Sequence, residues 1–327
     1  MKSIRMLGLV LLAAAIPACL SSNPNRTAPQ PVAPATVTTF KAAALSGRQE
    51  VPPVVSTGTG TATIDIATNR RQITVTVEVT GLTGITEAHV HFGFPGVDGP
   101  IIFPLASSSF TSPLTVTLTE ADFLPAVNVA TFEAALLAIE RGDMYVNVHT
   151  AAFPNGEIRG QVGPASLGAT LNGAQTVMGV ATFAAGSFSL TLSPDQTSMT
   201  VALNLANISD ATAAHIHVGP AGADGPILFA LTQNSSQMPV INTLTETDFS
   251  PQPGAGVSTF ADAVDMILSG NAYADVHTTA QPGGEIRGQI VPSSSIINTP
   301  SGSSAFPGSN TLFPVVPTIG VTSVTGN

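Results

Sequence analysis

The chain says the same thing twice. Leu45, Gly47 and Val51 recur at Leu171, Gly173 and Val177, a spacing of 126 residues that also carries His89 to His215, Asp98 to Asp224 and Phe123 to Phe249. Phe132 and Phe260, and His149 and His277, lie 128 apart, so the second copy gains two residues where "SPQPGAGVST" replaces "LPAVNVAT". An insertion confined to a Pro/Gly-rich stretch reads as a surface loop that leaves its flanking elements in register. A duplication of this length demands two tandem domains of ordinary size, assigned to residues 40–165 and 168–293 and joined by "GPASLG".

Within each copy the period of the apolar residues is two. In "QITVTVEV", Ile73, Val75, Val77 and Val79 alternate with Thr74, Thr76 and Glu78, and Met199, Val201, Leu203 and Leu205 hold the same positions in the second copy. Such strands bury one face and wet the other, as in antiparallel sheets. "GTATIDIA" and "GSFSLTLS" precede them as hairpin partners. One stretch in each copy changes period: "TFEAALLAIERG" and "TFADAVDMILSG" read as a short helix, the first closed by Gly142. The expected fold is all-β, two tandem Greek-key β-sandwich domains with one short helix each.

All six histidines belong to the repeat. "HVHFGFPGVDGP" answers "HIHVGPAGADGP", and "YVNVHT" answers "YADVHT". His89 and His91 stand two apart on a strand and share a face, while Val90 and Phe92 take the other. Tyr145, Asn147 and His149 likewise share a face opposite Val146 and Val148. Should the two strands be neighbours, His89, His91 and His149 converge in the first domain and His215, His217 and His277 in the second, an arrangement suited to copper or zinc. Local hydrogen bonding or a ligand-lining role is the alternative. Asp98-Gly99-Pro100 and Asp224-Gly225-Pro226 read as turns. Glu157 and Arg159, and Glu285 and Arg287, lie two apart and suggest an ion pair bracing adjacent strands or an anion contact. Arg287 is the only Lys or Arg beyond Arg159, which points to a geometric need for guanidinium. Tyr145 and Tyr273, the only tyrosines, are expected to cap the core with a hydroxyl at its rim.

The termini differ from the repeat. Lys2 and Arg5 precede the apolar run "MLGLVLLAAAIPA", which reads as an export signal over residues 1–18 and is too short for a comfortable membrane span. It ends at Cys19, the only cysteine; "IPAC" resembles the lipobox of bacterial lipoproteins, with Cys19 as the lipidated residue, and ordinary signal cleavage or a buried thiol as alternatives. Leu20 and Ser21 bring no acidic residue after the cysteine, which by the same resemblance implies the outer membrane of a Gram-negative envelope. Residues 19–39 form a Pro/Ser/Thr-rich tether, and 294–327 an uncharged low-complexity tail. Ten basic residues against twenty acidic, a formal charge of −10, argue against nucleic acid as a partner.

"AHVHFGFPGVDGPII" followed by "GDMYVNVHTAAFPNGEIRGQV" resembles the CHRD (chordin-type) domain, and "LSGRQEVPPV" is similar to that family's opening phrase; the second copy has only "LNGAQTVMGV" there. The resemblance implies an extracytoplasmic binding module without assigned activity. A weaker resemblance links "HVH", "NVH" and "GEIRGQV" to copper/zinc superoxide dismutases, Greek-key β-sandwiches with H-x-H copper ligands. It implies a three-histidine metal site per domain. No fourth, bridging histidine and no cysteine pair accompany it. No G-x-S-x-G elbow, P-loop or other catalytic constellation is present, so no catalytic residue is assigned. Three functions stay open: an exported, membrane-anchored, non-enzymatic tandem binding module for an extracytoplasmic ligand; a metal-binding, dismutase-like redox protein; and a structural envelope or adhesion protein.

Overall fold

The computed structural model describes residues 37–231 and 239–292. The segment read as an export signal, Cys19, most of the expected tether and the C-terminal tail lie outside the described residues.

The first domain runs β1 (Thr38–Ser46), β2 (Thr59–Ile66), β3 (Gln72–Thr80), β4 (Ile85–Phe92), β5 (Ile101–Ala106), β6 (Leu114–Thr119), α1 (Phe132–Arg141), β7 (Met144–Thr150) and β8 (Ile158–Val162). The second repeats it as β9 (Ser166–Asn172), β10 (Ala185–Leu192), β11 (Ser198–Ala206), β12 (Ala211–Val218), β13 (Ile227–Ala230), β14 (Val240–Thr245), α2 (Phe260–Leu268), β15 (Ala272–Thr278) and β16 (Ile286–Gln289), with a short β17 (Val291–Pro292). The linker is shorter than the sequence suggests. β9 already starts at Ser166, leaving only Gly163, Pro164 and Ala165 between the domains.

All described pairings are antiparallel. The strand order is β5-β4-β7-β8-β1-β2-β3-β6 in the first domain and β13-β12-β15-β16-β9-β10-β11-β14 in the second. Each sandwich is thus one continuous sheet folded over on itself, barrel-like, rather than two separate sheets. The fold line lies between β8 and β1, which share a single pair, Ser46 with Arg159. A bulge between Ala42 and Leu45 bends β1 there. Gly160 permits the close crossing, since a Cβ on it would lie 2.6 Å from the Ala44 carbonyl oxygen, and Gly288 stands 2.7 Å from that of Thr170 in the second domain.

The alternating residues close the fold. Ile64, Ile73, Val75 and Val77 face Val90, Val146, Val148 and Ile158 across the first interior, and all are fully buried. Each such side chain contributes about 1.5–3 kcal/mol relative to exposure. The helix plugs one side of the fold with Phe132, Ala135, Leu136 and Ile139. Thr131 caps it by accepting the Ala134 amide, and Gly142, in the left-handed region at φ 77°, ends it. The second domain builds a separate core on the same plan.

Candidate metal centre

β4 and β7 are neighbours, and their register decides the site. His89 lies opposite Asn147, His91 opposite Tyr145, and Glu87 opposite His149. Because the aliphatic residues of both strands go to the core, the histidines go to the other face. That face is covered by the loop after β4 and the turn before β8, so His89, His91 and His149 are buried.

The three imidazoles converge. His89 Nδ1 is 3.3 Å from His149 Nε2, and one ring nitrogen from each of the three lies within 4.8 Å of the others. Two of the rings are oriented from behind. His91 Nδ1 donates to the Gly99 carbonyl at 3.0 Å, and His149 Nδ1 to the Pro154 carbonyl at 3.0 Å. A ring nitrogen facing a carbonyl must carry the proton, which leaves Nε2 with its lone pair bare. The buried Nε2 of His91 has no hydrogen-bond partner. Burial pushes the His91 imidazole down to about 4 and lowers that of His89 as well, with the neighbouring imidazoles adding to the effect. Both shifts favour the neutral ring, the state in which imidazole ligates metal.

The second domain reproduces this and adds a carboxylate. His215 Nδ1 is 3.1 Å from His277 Nε2; His217 Nδ1 donates to Gly225 O and His277 Nδ1 to Pro282 O, both at 2.8 Å. Asp275 takes the place of Asn147, its oxygens 3.2 Å from His217 Nε2 and 3.1 Å from His277 Nε2. His215, His217, Asp275 and His277 all offer a ligand atom to one point. Burial opposes ionisation of Asp275, but the three imidazoles overcome it and hold its carboxyl well below the usual carboxylate range. Its hydrogen bond in turn raises His277.

Arg159 does not pair with Glu157, nor Arg287 with Glu285. The fully buried Arg159 guanidinium lies 3.5 Å over the Tyr145 ring, which stacks on His91 at 4.8 Å and 9°. Its nitrogens donate to Asp98 at 3.1 Å and to the carbonyls of Phe94 and Val97 at 2.9 Å. Glu157 instead accepts from Ser56 and Thr150, and Glu285 from Thr182 and Thr278. The expected ion pair fails because β8 turns Arg159 onto the histidine face beneath the β4–β5 loop, which offers carbonyls to a planar fork. Arg287 repeats the stack on Tyr273 at 3.5 Å and donates to Pro220 O. Tyr145 is therefore not a cap on the core. It is the middle of an Arg–Tyr–His stack, its hydroxyl accepting the Gly99 amide at 3.2 Å.

Asp275, Asn147 and Glu50 were not singled out by sequence reasoning. Asn147 donates to both Glu50 oxygens at 3.0 Å. The signal was the difference between the copies: "YVNVHT" against "YADVHT", and "GRQEV" against "GAQTV".

Two antiparallel β-domains, each with three converging histidines beside a stacked arginine and tyrosine, the set buried in the first and partly buried in the second, define a tandem repeat protein. The sequence profile of the CHRD domain matches residues 41–162 and 167–290, and the chain belongs to the CHRD-domain family. No curated protein matches the sequence. Among the described residues no helix is long and apolar enough to cross a membrane.

Proposed function

We propose that the chain is an exported, lipid-anchored tandem binding module whose two domains each hold one divalent transition-metal ion, zinc or copper, on His89, His91 and His149 and on His215, His217 and His277. The observation that carries the reading is the orientation of the rings. In both domains two Nδ1 groups are fixed on backbone carbonyls, which turns the opposite nitrogens of those rings towards a common centre. In the first domain the buried Nε2 of His91 meets no partner there, and in the second the Nε2 atoms of His217 and His277 meet Asp275. Outer-shell hydrogen bonds of this kind fix the tautomer of metal-ligating histidines. A cluster serving only local hydrogen bonding has no need to leave the buried Nε2 of His91 without a partner.

Elemental analysis of the full chain, purified without a histidine tag and dialysed against micromolar zinc or copper, is expected to find one ion per domain. Protein that retains neither metal after gel filtration would overturn the reading. The anchor is tested separately: Cys19→Ser should move the chain from the detergent to the aqueous phase of a Triton X-114 partition. A wild-type chain already in the aqueous phase would show that Cys19 carries no lipid.

A further inference from the structure

The two clusters are not equivalent, and the difference is one displaced carboxylate. In the first domain the half-exposed Glu87 carboxylate stands 3.5 Å from His89 Nε2 but is not among the groups that converge, which are His89, His91 and His149 alone. The difference lies in the buried acid joined to the strand position beside the histidines. In the first it is Glu50, at the end of the turn after β1, one residue removed from the cluster: it holds the Asn147 amide, and Asn147 stands opposite His89. In the second the Glu50 position is Thr176, whose hydroxyl turns back to the Gly173 carbonyl at 2.8 Å. The acid has moved to the Asn147 position as Asp275, in direct contact with the histidines. The carboxylate is kept and its distance from the cluster changes.

We infer that the second domain is a closed four-ligand site, His215, His217, His277 and Asp275, that holds zinc structurally, and that the first is an open three-histidine site whose bound metal keeps a coordination position for a small exogenous ligand such as water or an anion. This rests on the metal-binding reading above. Closed tetrahedral sets with four protein ligands serve structural zinc, whereas three protein ligands and an open position serve reactive or ligand-binding zinc. A carboxylate also neutralises part of the ion's charge in the second site. In the first, Glu50 is held off by the Asn147 amide and acts through it, as an outer-shell acid does.

Competition of the full chain with a chromophoric chelator for zinc should resolve two classes of site, one ion each, differing by more than about tenfold, the lower bound seen for outer-shell changes alone. Asp275→Asn should abolish the tight class. The paired exchange Glu50→Thr with Asn147→Asp, which copies the second domain into the first, should convert the weak class into a tight one; a gain of affinity cannot come from misfolding. A single affinity class in the wild-type chain, or a tight class that survives Asp275→Asn, would overturn the assignment while leaving the metal-binding reading intact. Absence of zinc from both sites would overturn both. In cobalt-loaded protein, azide should shift the visible spectrum of the His277→Ala chain, which retains the first site, and leave the His149→Ala chain unchanged. The opposite pattern would reverse the assignment.

Discussion

At the scale of single residues, what stands behind the histidines sets the energetics. Arg159 is the largest fully buried side chain of the first domain, and it is a charge. It is tolerated because its fork meets Asp98 and two carbonyls and its face meets Tyr145. Lysine can supply the charge without the fork or the stack. Arg159→Lys is therefore expected to cost about 2–3 kcal/mol in urea unfolding, the scale of hydrogen bonds to charged groups. It should also weaken zinc at the first domain by about 10–100-fold, as outer-shell losses do. Unchanged zinc affinity would show that the stack does not hold His91. Glu50 carries a different signature. Burial pushes its carboxyl up to about 7 from an ordinary value of 4.5, against the opposing pull of Arg159 and Asn147. Between those two values the folded state binds a proton that the unfolded state has released, so stability falls as pH rises through the window and levels off above it. A tenfold difference in proton affinity between the folded and unfolded chains is worth about 1.4 kcal/mol. Metal-free Glu50→Gln should match the wild type at pH 4 and exceed it at pH 8 in urea melts. Parallel pH profiles for the two proteins would contradict the assignment.

At the scale of elements, the alternation in "QITVTVEV" defines β3, and the helices fall where the period changes, because burial of one face imposes those patterns directly. The facing of the histidines was legible for the same reason: period two puts His89 and His91 on one side. What covers that side was not legible. The β4–β5 loop is held by contacts far apart in the chain, Arg159 to Phe94 and Val97, and Tyr145 to Gly99, and no local pattern announces them. The Glu157–Arg159 reading failed on the same ground, since two-residue spacing fixes a common face but not which partner is nearer. Nor did turn propensity reveal why Gly99 is glycine. A Cβ there would sit 1.6 Å from the Phe92 carbonyl oxygen, and the Gly99 carbonyl is what orients His91. Gly99→Ala must displace the loop. The expected outcome is loss of metal from the first domain with the second still loaded, read by elemental analysis as half the wild-type content. Gly225→Ala, where a Cβ would lie 1.7 Å from the Val218 carbonyl oxygen, should give the reciprocal loss. Full occupancy in either variant would show that the loop carbonyl is dispensable.

At the scale of the whole molecule, the repeat is symmetric in its cores and asymmetric where its halves meet. Asp265, in α2, is buried and accepts from Ser46 Oγ at 2.7 Å, Gln49 Nε2 at 2.9 Å and Arg48 at 3.2 Å, all in the first domain. Gln196, at φ 54° in the β10–β11 turn, donates to the carbonyls of Gln161 and Gly163 at 2.9 Å and accepts the Ala43 amide at 2.8 Å. It thereby satisfies backbone groups at the fold line where β8 and β1 barely pair. None of this is duplicated: the counterpart of Asp265 is Leu137, and that of Arg48 is Ala174. Reading the repeat for what its copies share misses this contact, which lies in what they do not share. The two cores are separate, yet the contact should make the domains unfold together. Removing Asp265 strands the buried Ser46 and Gln49 donors, at about 1–3 kcal/mol each; removing Gln196 strands backbone groups at similar cost. Calorimetry of the wild-type chain is expected to show one transition, with calorimetric and van't Hoff enthalpies equal. Asp265→Ala with Gln196→Ala should split it into two, each with about half the total enthalpy, because these side chains carry the buried polar contacts between the halves. A double variant that still melts in one two-state transition would mean that the halves are joined by something other than these two side chains.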